Sequence, residues 1–337
     1  ISNAPNPNLR WEHTRDYNAS LDLGLLNNRL NLMFSAYRRR GYDLVTSVSV
    51  VSTTGFSVQS YNTSEQINQG FELTVNATPL KLKDFSWSVT GNIAYNQNKL
   101  TKYEAPNNYA FSPTRLDYPL SSLFTGKYLG VDASNGLQNF ALRPGTSISS
   151  SADKRNMYNY VYYIGTENAP WTGGFSTHAS YKNFSLSMSS TFALGAKKKY
   201  TVNNSFAYYG ALSGTRINSV QSSMSDLYTA HLNKPKEAAN RWMNTNAITN
   251  GYPRLVDAYG PAISVDLDNV SATNITSGAE YCNAAYWKIG SISFMYSMPQ
   301  DVIGSWGLTN LGFSFTANNV LNVTKFKGLD PESPGAV

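Results

Sequence analysis

The stretch "GFELTVNATPLKLKDFSWSVTGNIAYNQNKL" (Gly70 to Leu100) alternates apolar and polar residues, makes a short polar turn, and then alternates again. A period of two places successive side chains on opposite faces of an extended strand. The apolar positions of the two runs are Phe71, Leu73, Val75, Ala77, Phe85, Trp87, Val89, Ile93 and Tyr95. Such a face either packs on a protein core or meets lipid while the polar face lines an aqueous lumen. The stretch alone leaves both alternatives open.

The composition of the chain agrees with a β-barrel of an outer membrane. Charged residues make up 14% of the 337 residues, against roughly 25% in a usual soluble domain. Aromatic residues reach 13%, led by 23 Tyr, and the mean hydropathy is −0.34. No run approaches the roughly 18 apolar residues that a transmembrane helix needs. A secreted β-sandwich or lectin would show a similar composition, so the choice depends on the strand pattern.

The net charge of +6 raises the question of a nucleic-acid partner. The basic residues are scattered, apart from Arg38-Arg39-Arg40 and Lys197-Lys198-Lys199, and each of these clusters directly follows a strand-like run. We interpret them as solvated strand ends near lipid head groups, and we expect no nucleic-acid partner. The single cysteine, Cys282, excludes an internal disulfide framework. The first residues carry no secretory signal, which leaves the compartment open.

The connections between strands alternate in length along the chain. The pattern predicts ten strands, at 16–26, 29–40, 69–79, 85–98, 121–130, 157–165, 172–181, 184–194, 285–298 and 308–318. Short connections are expected at Asn27-Asn28, 80–84, Lys182-Asn183 and 299–306, and long ones at 41–68, 99–120 and 195–284. Short turns on one side and long loops on the other are typical of outer-membrane barrels, whereas a sandwich has no reason to alternate them.

The number of predicted strands is small for a barrel with an open lumen. About ten strands would close a barrel whose interior side chains nearly fill it. Open strand edges cannot lie in lipid with unpaired backbone groups. We therefore predict that residues 1–337 are part of one larger barrel domain, in which 195–284 is a long extracellular loop.

Several phrases resemble the SusC/RagA-like TonB-dependent transporters. They are "NPNLRWEHTRDYNASLDLGLLNNRLNLMFSAYRRRGYDLV" (Asn6–Val45), "INQGFELTVNATPLKLKDFSWSVTGNIAYNQNKL", "YYIGTENAPWTGGFSTHASYKNFSLSMSSTFALG" and "AAYWKIGSISFMYSMPQDVI" followed by "ANNVLNVTKFKGLDPES". The last phrase resembles the aromatic-x-Gly-x-Asp-Pro-Glu motif near the end of the family's chains. The phrases lie in the family's order over nearly the whole length, and together they are specific.

The resemblance implies an antiparallel transmembrane β-barrel of 22 strands with a plug in its lumen. No plug segment or TonB box is found here, and the closing strand after Asp330-Pro331-Glu332 is missing, so the chain resembles the C-terminal half of the barrel. The resemblance also implies the outer membrane of a Gram-negative bacterium as the location. Its implied partners are membrane lipid, a SusD-like surface lipoprotein acting as a lid, and the TonB complex acting through the missing N-terminal part.

The sequence offers only weak candidates for catalytic or metal-binding residues. The three histidines, His13, His178 and His231, show no metal-ligand spacing. Asp330 and Glu332 on one turn lack the opposed geometry of a glycosidase pair. Asp266 and Asp268 are better explained as a solvated loop than as calcium ligands. We expect no enzyme activity, no cofactor and no metal.

The segment 195–284 contains aromatic residues among Asn, Ser and Arg. Flat rings beside amide and guanidinium donors suit sugars or extended peptides, although packing of the loop or an interfacial girdle would explain the same rings. The candidate substrate-binding residues are Tyr208, Tyr209, Arg216, Tyr228 and Trp242.

The leading hypothesis from the sequence is active import of an oligomeric nutrient, a glycan or a peptide, across the outer membrane. Two alternatives remain open at this point. One is a secreted carbohydrate-binding β-sandwich, which would be soluble without detergent. The other is a structural outer-membrane barrel that imports nothing and would lack a plug and a TonB box in the full-length protein.

Overall fold

One large antiparallel sheet dominates the protein. The computed structural model describes residues 3–103, 114–134, 138–150, 157–199, 242–243, 281–326 and 330–332. The eight long strands of the sheet, in spatial order, are β2 (His13–Leu25), β3 (Leu30–Ser49), β4 (Val58–Lys81), β5 (Phe85–Lys102), β10 (Trp171–Tyr181), β11 (Phe184–Leu194), β14 (Tyr286–Ser297) and β15 (Gly312–Thr324). Each long strand pairs with the next long strand in the chain, which is an up-and-down meander without the crossovers of a Greek-key sandwich. The predicted antiparallel all-β fold is confirmed.

The register between strands gives the sheet one apolar and one polar face. On the apolar face Leu21 stands opposite Phe34, and the row continues through Leu73 to Ile93 on β5. Leu21 and Phe34 are 54% and 43% exposed, so no protein layer among the described residues covers this face. An apolar face of this extent without a protein cover is the lipid-facing arrangement rather than the core-facing one.

The opposite face is lined by small polar side chains that bond across the strands. Four hydroxyl pairs lie within hydrogen-bond distance: Ser20 and Ser35 at 3.0 Å, Ser86 and Ser180 at 2.8 Å, Ser189 and Ser291 at 2.8 Å, and Ser293 and Thr316 at 2.9 Å. Serine and threonine satisfy their hydrogen-bonding groups here without a bulky side chain. This face therefore suits contact with water or a polar ligand.

Tight turns join the long strands at one end of the sheet. The β2–β3 turn holds Leu26, Asn27 and Asn28 at φ values of 52°, 54° and 60°, as predicted for the Asn pair, and Lys182 has φ 51° in the two-residue β10–β11 turn. We call the end of the sheet with the turns at 26–29, 82–84, 182–183 and 298–311 the turn end, and the other end the loop end. The last turn contains a one-turn α-helix, Gln300–Ile303, and a 3-10 turn, Gly304–Trp306.

The segment predicted as a long loop at 41–68 is mostly strand. β3 and β4 continue their pairing to Ser49 and Val58, past a bulge at Asp43 (φ 54°), and a 3-10 turn at Ser52–Thr54 closes the hairpin. The prediction of a loop was wrong because the run "LVTSVSV" keeps the β-branched residues that favour a strand. At about 3.3 Å per residue β4 is roughly 80 Å long, so the hairpin extends well beyond a membrane.

Two of the ten predicted strands do not belong to the large sheet. Among the described residues, β6 (Ser122–Gly126) pairs only with β9 (Val161–Thr166), while β5 pairs directly with β10. Phe124 and Val161 are each 6% exposed and form a small core with Tyr118 and Tyr158. Burial raises the pKa of Tyr163 in this cluster and lowers the pKa of Arg115 beside it. The two strands pack against residues of their own connection, Tyr118 and Tyr158, and adjacent tyrosines occupy both faces of β9.

Because this pair of strands reverses the chain twice, β5 and β10 on either side of it remain antiparallel neighbours in the large sheet. The remaining elements are short. They are the strands β1 (Asn3–Ala4), β7 (Tyr128–Val131), β8 (Gln138–Phe140), β12 (Lys197–Lys199) and β13 (Tyr281–Asn283), and the 3-10 turn Met157–Tyr160. β1 runs parallel to the start of β4, β7 pairs with β8, and β12 pairs with β13. Among the described residues, no helix is long and apolar enough to span a membrane.

Candidate functional site

A pocket lies on the polar face of the sheet near the loop end. Its volume is about 380 Å³, and the lining residues are Asp16, Asn18, Tyr37, Arg39, Asn68 and Asn96. They come from four consecutive strands, β2 to β5, and all occupy positions that face away from the apolar side. We call this set the inner polar pocket.

Tyr37 crosses the pocket and contacts the strand two places away. Its hydroxyl donates a hydrogen bond of 3.0 Å to Oδ1 of Asn96. The ring passes over Gly70, where an added Cβ would lie 2.8 Å from the hydroxyl oxygen and 2.0 Å from the carbonyl oxygen of Tyr95. Glycine at this position therefore lets the tyrosine ring lie flat against the sheet, with its hydroxyl held in place by Asn96.

The charged part of the pocket is the ion pair of Arg39 and Asp16. Nε of Arg39 donates to both carboxylate oxygens, at 2.9 and 3.0 Å, and one of its terminal nitrogens lies 2.8 Å from Oδ2. The two side chains are 59% and 36% exposed, so the pair contributes little to stability. The bonds orient the guanidinium, which has five N–H donors, so that donors remain for a ligand.

Side-chain amides extend the polar surface toward the loop end. Asn98 donates to Oδ1 of Asn68 at 2.8 Å and to Gln66 at 3.4 Å. Its own oxygen accepts a 2.8 Å bond from the backbone N–H of Leu120, which belongs to the connection after β5. The connection after β5 is therefore hydrogen-bonded to the sheet beside the pocket. A movement of this connection would shift the side-chain amide of Asn98 and its bond to Asn68.

The arrangement offers many hydrogen-bond donors and acceptors and one aromatic ring. Amides can donate and accept at once, which suits a ligand with repeated polar groups such as a peptide backbone or a sugar. The pocket residues include no Ser, Cys or Lys that could act as a nucleophile beside a base. What the pocket can do chemically is bind and orient a polar molecule.

Of the five substrate-binding candidates, four fall outside the described residues: Tyr208, Tyr209, Arg216 and Tyr228. Trp242 is described and is 8% exposed. Its indole N–H donates a 2.9 Å bond to the carbonyl oxygen of Ala133, next to β7. This contact gives Trp242 a packing role, and a contact with substrate stays a prediction for all five.

The acidic residues near the end of the chain are bound to the wall. Glu332 accepts a 2.6 Å ion-paired bond from Nζ of Lys288 on β14, and Lys198 donates at 2.7 Å to the carbonyl oxygen of Pro331. Oδ1 of Asp330 accepts from the backbone N–H of Glu332 at 2.9 Å. The Asp-Pro-Glu motif therefore anchors its segment to β12 and β14.

The histidines that are described take part in packing. His13 stacks on Tyr42 with ring centroids 5.1 Å apart, and His178 lies between Ser88 and Ser187 on the polar face. Within the described ranges, no three His, Cys, Asp or Glu side chains converge as a group that could hold a metal ion.

Sequence reasoning missed the inner polar pocket, although one signal was present. The triplet Arg38-Arg39-Arg40 was assigned as a whole to the lipid head groups. Alternation places Arg39 on the polar face, beside Asp16, so that assignment was wrong for the central arginine. The period of two, applied within the triplet, would have separated it from its neighbours.

Comparison with known proteins identifies the family of this wall. Residues 1–209 match the family described as "TonB dependent receptor-like, beta-barrel". TonB-dependent receptor P3 of Formosa agariphila is 26% identical over 99% of this chain, and TonB-dependent receptor SusC of Bacteroides thetaiotaomicron is 27% identical over 97%. The solved structure of the RagAB peptide transporter aligns over 98% of this chain with a TM-score of 0.71 and 26% identity.

The chain spans about a third of the length of these relatives: 32% of P3, 30% of SusC and 34% of the RagAB chain. The match covers the long strands and agrees with the apolar and polar faces described above. The apolar face is thus the lipid-facing side, and the inner polar pocket faces the lumen of an outer-membrane barrel. The chain belongs to the TonB-dependent receptor β-barrel family, and within it to the SusC/RagA-like proteins of the Gram-negative outer membrane.

Proposed function

We propose that this chain forms part of the wall of an active importer that carries an oligomeric nutrient, a glycan or a peptide, across the outer membrane. The observation that carries the proposal is the inner polar pocket. It presents amides, a fixed phenol and an oriented guanidinium to the lumen near the loop end, where a solute from outside would arrive. The family match and the similarity to a structure named as a peptide transporter support the same function.

The proposal includes the domain organisation and the partners. All 337 residues would belong to one barrel domain, with 195–284 as a long extracellular loop. A SusD-like surface lipoprotein would close the lumen from outside. The TonB complex would supply the energy through a part of the protein outside these residues. No covalent step is involved, because transport requires binding, release and movement only.

The substrate class is a matter for uptake measurements. An extended peptide and an oligosaccharide both present repeated donors and acceptors to the amides of the pocket. The test compares a strain without the gene with the wild type during growth on defined peptides and on defined oligosaccharides as sole nutrient. Loss of growth on one class identifies the substrate, and unchanged growth on both would favour a structural barrel.

A substitution in the pocket tests whether this site carries the function. Arg39→Gln removes the charge and the bonds to Asp16, and Ser293→Ala removes a hydroxyl elsewhere on the polar face as a matched control. We expect Arg39→Gln to weaken uptake at least about tenfold, since charged hydrogen bonds contribute roughly 1.5–3 kcal/mol and every 1.4 kcal/mol is about a factor of ten. Both variants must reach the outer membrane in equal amounts. Equal uptake by the two variants would show that the pocket does not touch the substrate.

A further inference from the structure

The triplet Arg38-Arg39-Arg40 divides its charges between the two sides of the wall. Arg39 is bound to Asp16 on the inner side, whereas its two neighbours lie on the outer, apolar side. There Arg40 stands directly opposite Arg15 of the neighbouring strand. Like charges at opposed positions of a sheet repel each other, so this arrangement is destabilising unless anions lie beside it.

The same row continues across the sheet to a fourth cation. Arg40 stands opposite Ile67, and Ile67 stands opposite Lys99. With neighbouring strands about 4.8 Å apart, the row from Arg15 to Lys99 is about 14 Å wide. We call Arg15, Arg38, Arg40 and Lys99 the outer basic patch.

Carboxylates of the described residues pair with two of the four cations of this patch. Arg40 pairs with Glu65 at 2.7 Å, and Lys99 pairs with Asp117 at 2.8 Å. Asp117 is 75% exposed, so the second pair is a weak one.

The other two cations, Arg15 and Arg38, pair with no carboxylate among the described residues. The guanidinium of Arg15 lies 5.7 Å from the ring of Tyr42, and Arg38 is exposed. Strands β2 to β5 carry three carboxylates between the level of the patch and the turn end: Asp16, Asp22 and Glu72. All three occupy inner positions. Between the patch and the turn end, the outer face of these strands therefore offers no carboxylate among the described residues, and the carboxylates that pair with the patch itself are Glu65 and Asp117.

The height of the patch matches the surface of the membrane. Arg15 is ten residues from Leu25, which lies on the same face at the turn end. Ten residues span about 33 Å along a strand, and a tilt of about 40° reduces this to a rise of about 25 Å. The apolar band of outer-membrane barrels is also about 25 Å tall. Long loops mark the extracellular side of such barrels, so the patch lies at the head groups of the outer leaflet.

Aromatic rings lie directly below the patch on the same face. Tyr95 packs against Trp171 with centroids 4.6 Å apart, and Phe71 lies 5.8 and 5.7 Å from these two rings. Phe71 is one outward row below Gln69, the partner of Arg38. Cations above aromatic rings suit a lipid whose head group is anionic and whose chains lie along the wall.

We infer that the outer basic patch binds the phosphate groups of a phosphorylated glycolipid of the outer leaflet, with its acyl chains on Phe71, Tyr95 and Trp171. The lipid supplies the anion that the described residues do not provide to Arg15 and Arg38. This site is on the opposite side of the wall from the inner polar pocket and does not depend on import.

The test measures retention of lipid by the purified full-length protein in detergent. Bis-phosphorylated lipid A is the probe, and native mass spectrometry gives the bound fraction. The double variant Arg15→Gln, Arg38→Gln removes both unpaired charges. Each cation near an anionic surface contributes about a fivefold factor, so we expect roughly 30-fold weaker binding. Arg39→Gln removes the same charge from the inner side and is expected to bind lipid A like the wild type.

The remaining arms separate a lipid site from a site for any small anion. Dephosphorylated lipid A should bind as weakly as the double variant does, and millimolar inorganic phosphate should displace little of the bound lipid. The shift in gel mobility on heating shows whether each variant is folded. If the double variant does not fold, Arg38→Gln alone is measured instead, because Arg38 is exposed and its substitution should not disturb the fold. Unchanged binding by Arg38→Gln and the double variant, equal binding of dephosphorylated lipid, or full displacement by phosphate would each overturn the inference.

Discussion

The assignment of the two faces predicts opposite consequences for arginine at adjacent positions of β11. Met188 lies on the apolar face between Thr177 and Ile292, and Ser187 lies on the polar face between His178 and Ser293. Both residues are in the same strand and differ by one position. The substitutions Met188→Arg and Ser187→Arg therefore form a matched pair.

The magnitude follows from the depth of Met188 in the membrane. Phe184 marks the turn end of β11, and its ring packs 4.6 Å from that of Tyr296 in an aromatic row. Met188 is four residues further along, about 13 Å of strand and roughly 10 Å of rise at a tilt of about 40°. In an apolar band about 25 Å tall this is close to the midplane. Arginine at the midplane costs about 2–4 kcal/mol, while Ser187→Arg should cost less than about 1 kcal/mol.

Unfolding of the full-length protein from lipid vesicles in guanidinium measures both costs. We expect the folding equilibrium constant to fall by a factor of about 30 to 900 for Met188→Arg and to change little for Ser187→Arg. The fraction of heat-resistant barrel in isolated outer membranes gives the same comparison in cells. Equal losses for the two variants, or a larger loss for Ser187→Arg, would refute the assignment of the faces.

Three further predictions concern the loop end. An epitope tag near Leu212 should be readable on intact cells and a tag at Asn183 should not; the reverse labelling would invert the topology. Deleting 205–260 should leave the barrel at normal abundance but reduce lid association or growth on the natural oligomer, since a segment this long usually carries function; unchanged growth would make the loop dispensable. Trp242→Phe removes the indole bond to Ala133 and should destabilise the adjacent hairpin by about 1 kcal/mol, measured as faster limited proteolysis; an unchanged rate of proteolysis would contradict the packing role.

The strands of the large sheet could be predicted from the sequence because their two faces meet different solvents. In Phe184–Leu194 the alternation is almost complete, and the structure places the strand as predicted. The turns could be predicted for a similar reason, since Asn27 and Asn28 tolerate the positive φ that a tight hairpin requires.

The same reasoning failed where the environment on the two sides of a strand is the same. β6 and β9 are covered by their own loop, and Ser122 and Thr125 are 0% and 1% exposed although both are polar. The alternation of apolar and polar residues then does not distinguish a lipid-facing side from a lumen-facing side. The two strands were therefore wrongly assigned to the barrel wall. That β6 and β9 pair with each other, and not with the large sheet, is seen only from the register that places Ser122 opposite Thr166.

By itself, the sequence determined which side of each long strand faces lipid, because burial in lipid selects apolar residues at every second position. It did not determine which residues of different strands are neighbours. Asp16, Arg39 and Asn96 are far apart in the chain, and the register of β2 to β5 brings them into one pocket. The period of two already separates Arg39 from Arg38, but the pairing of Arg39 with Asp16 was decided by the register. The register of a hairpin is set by the geometry of its turn together with the apolar pattern of both strands, so the apolar pattern of a single strand does not show which residues of the next strand lie beside it.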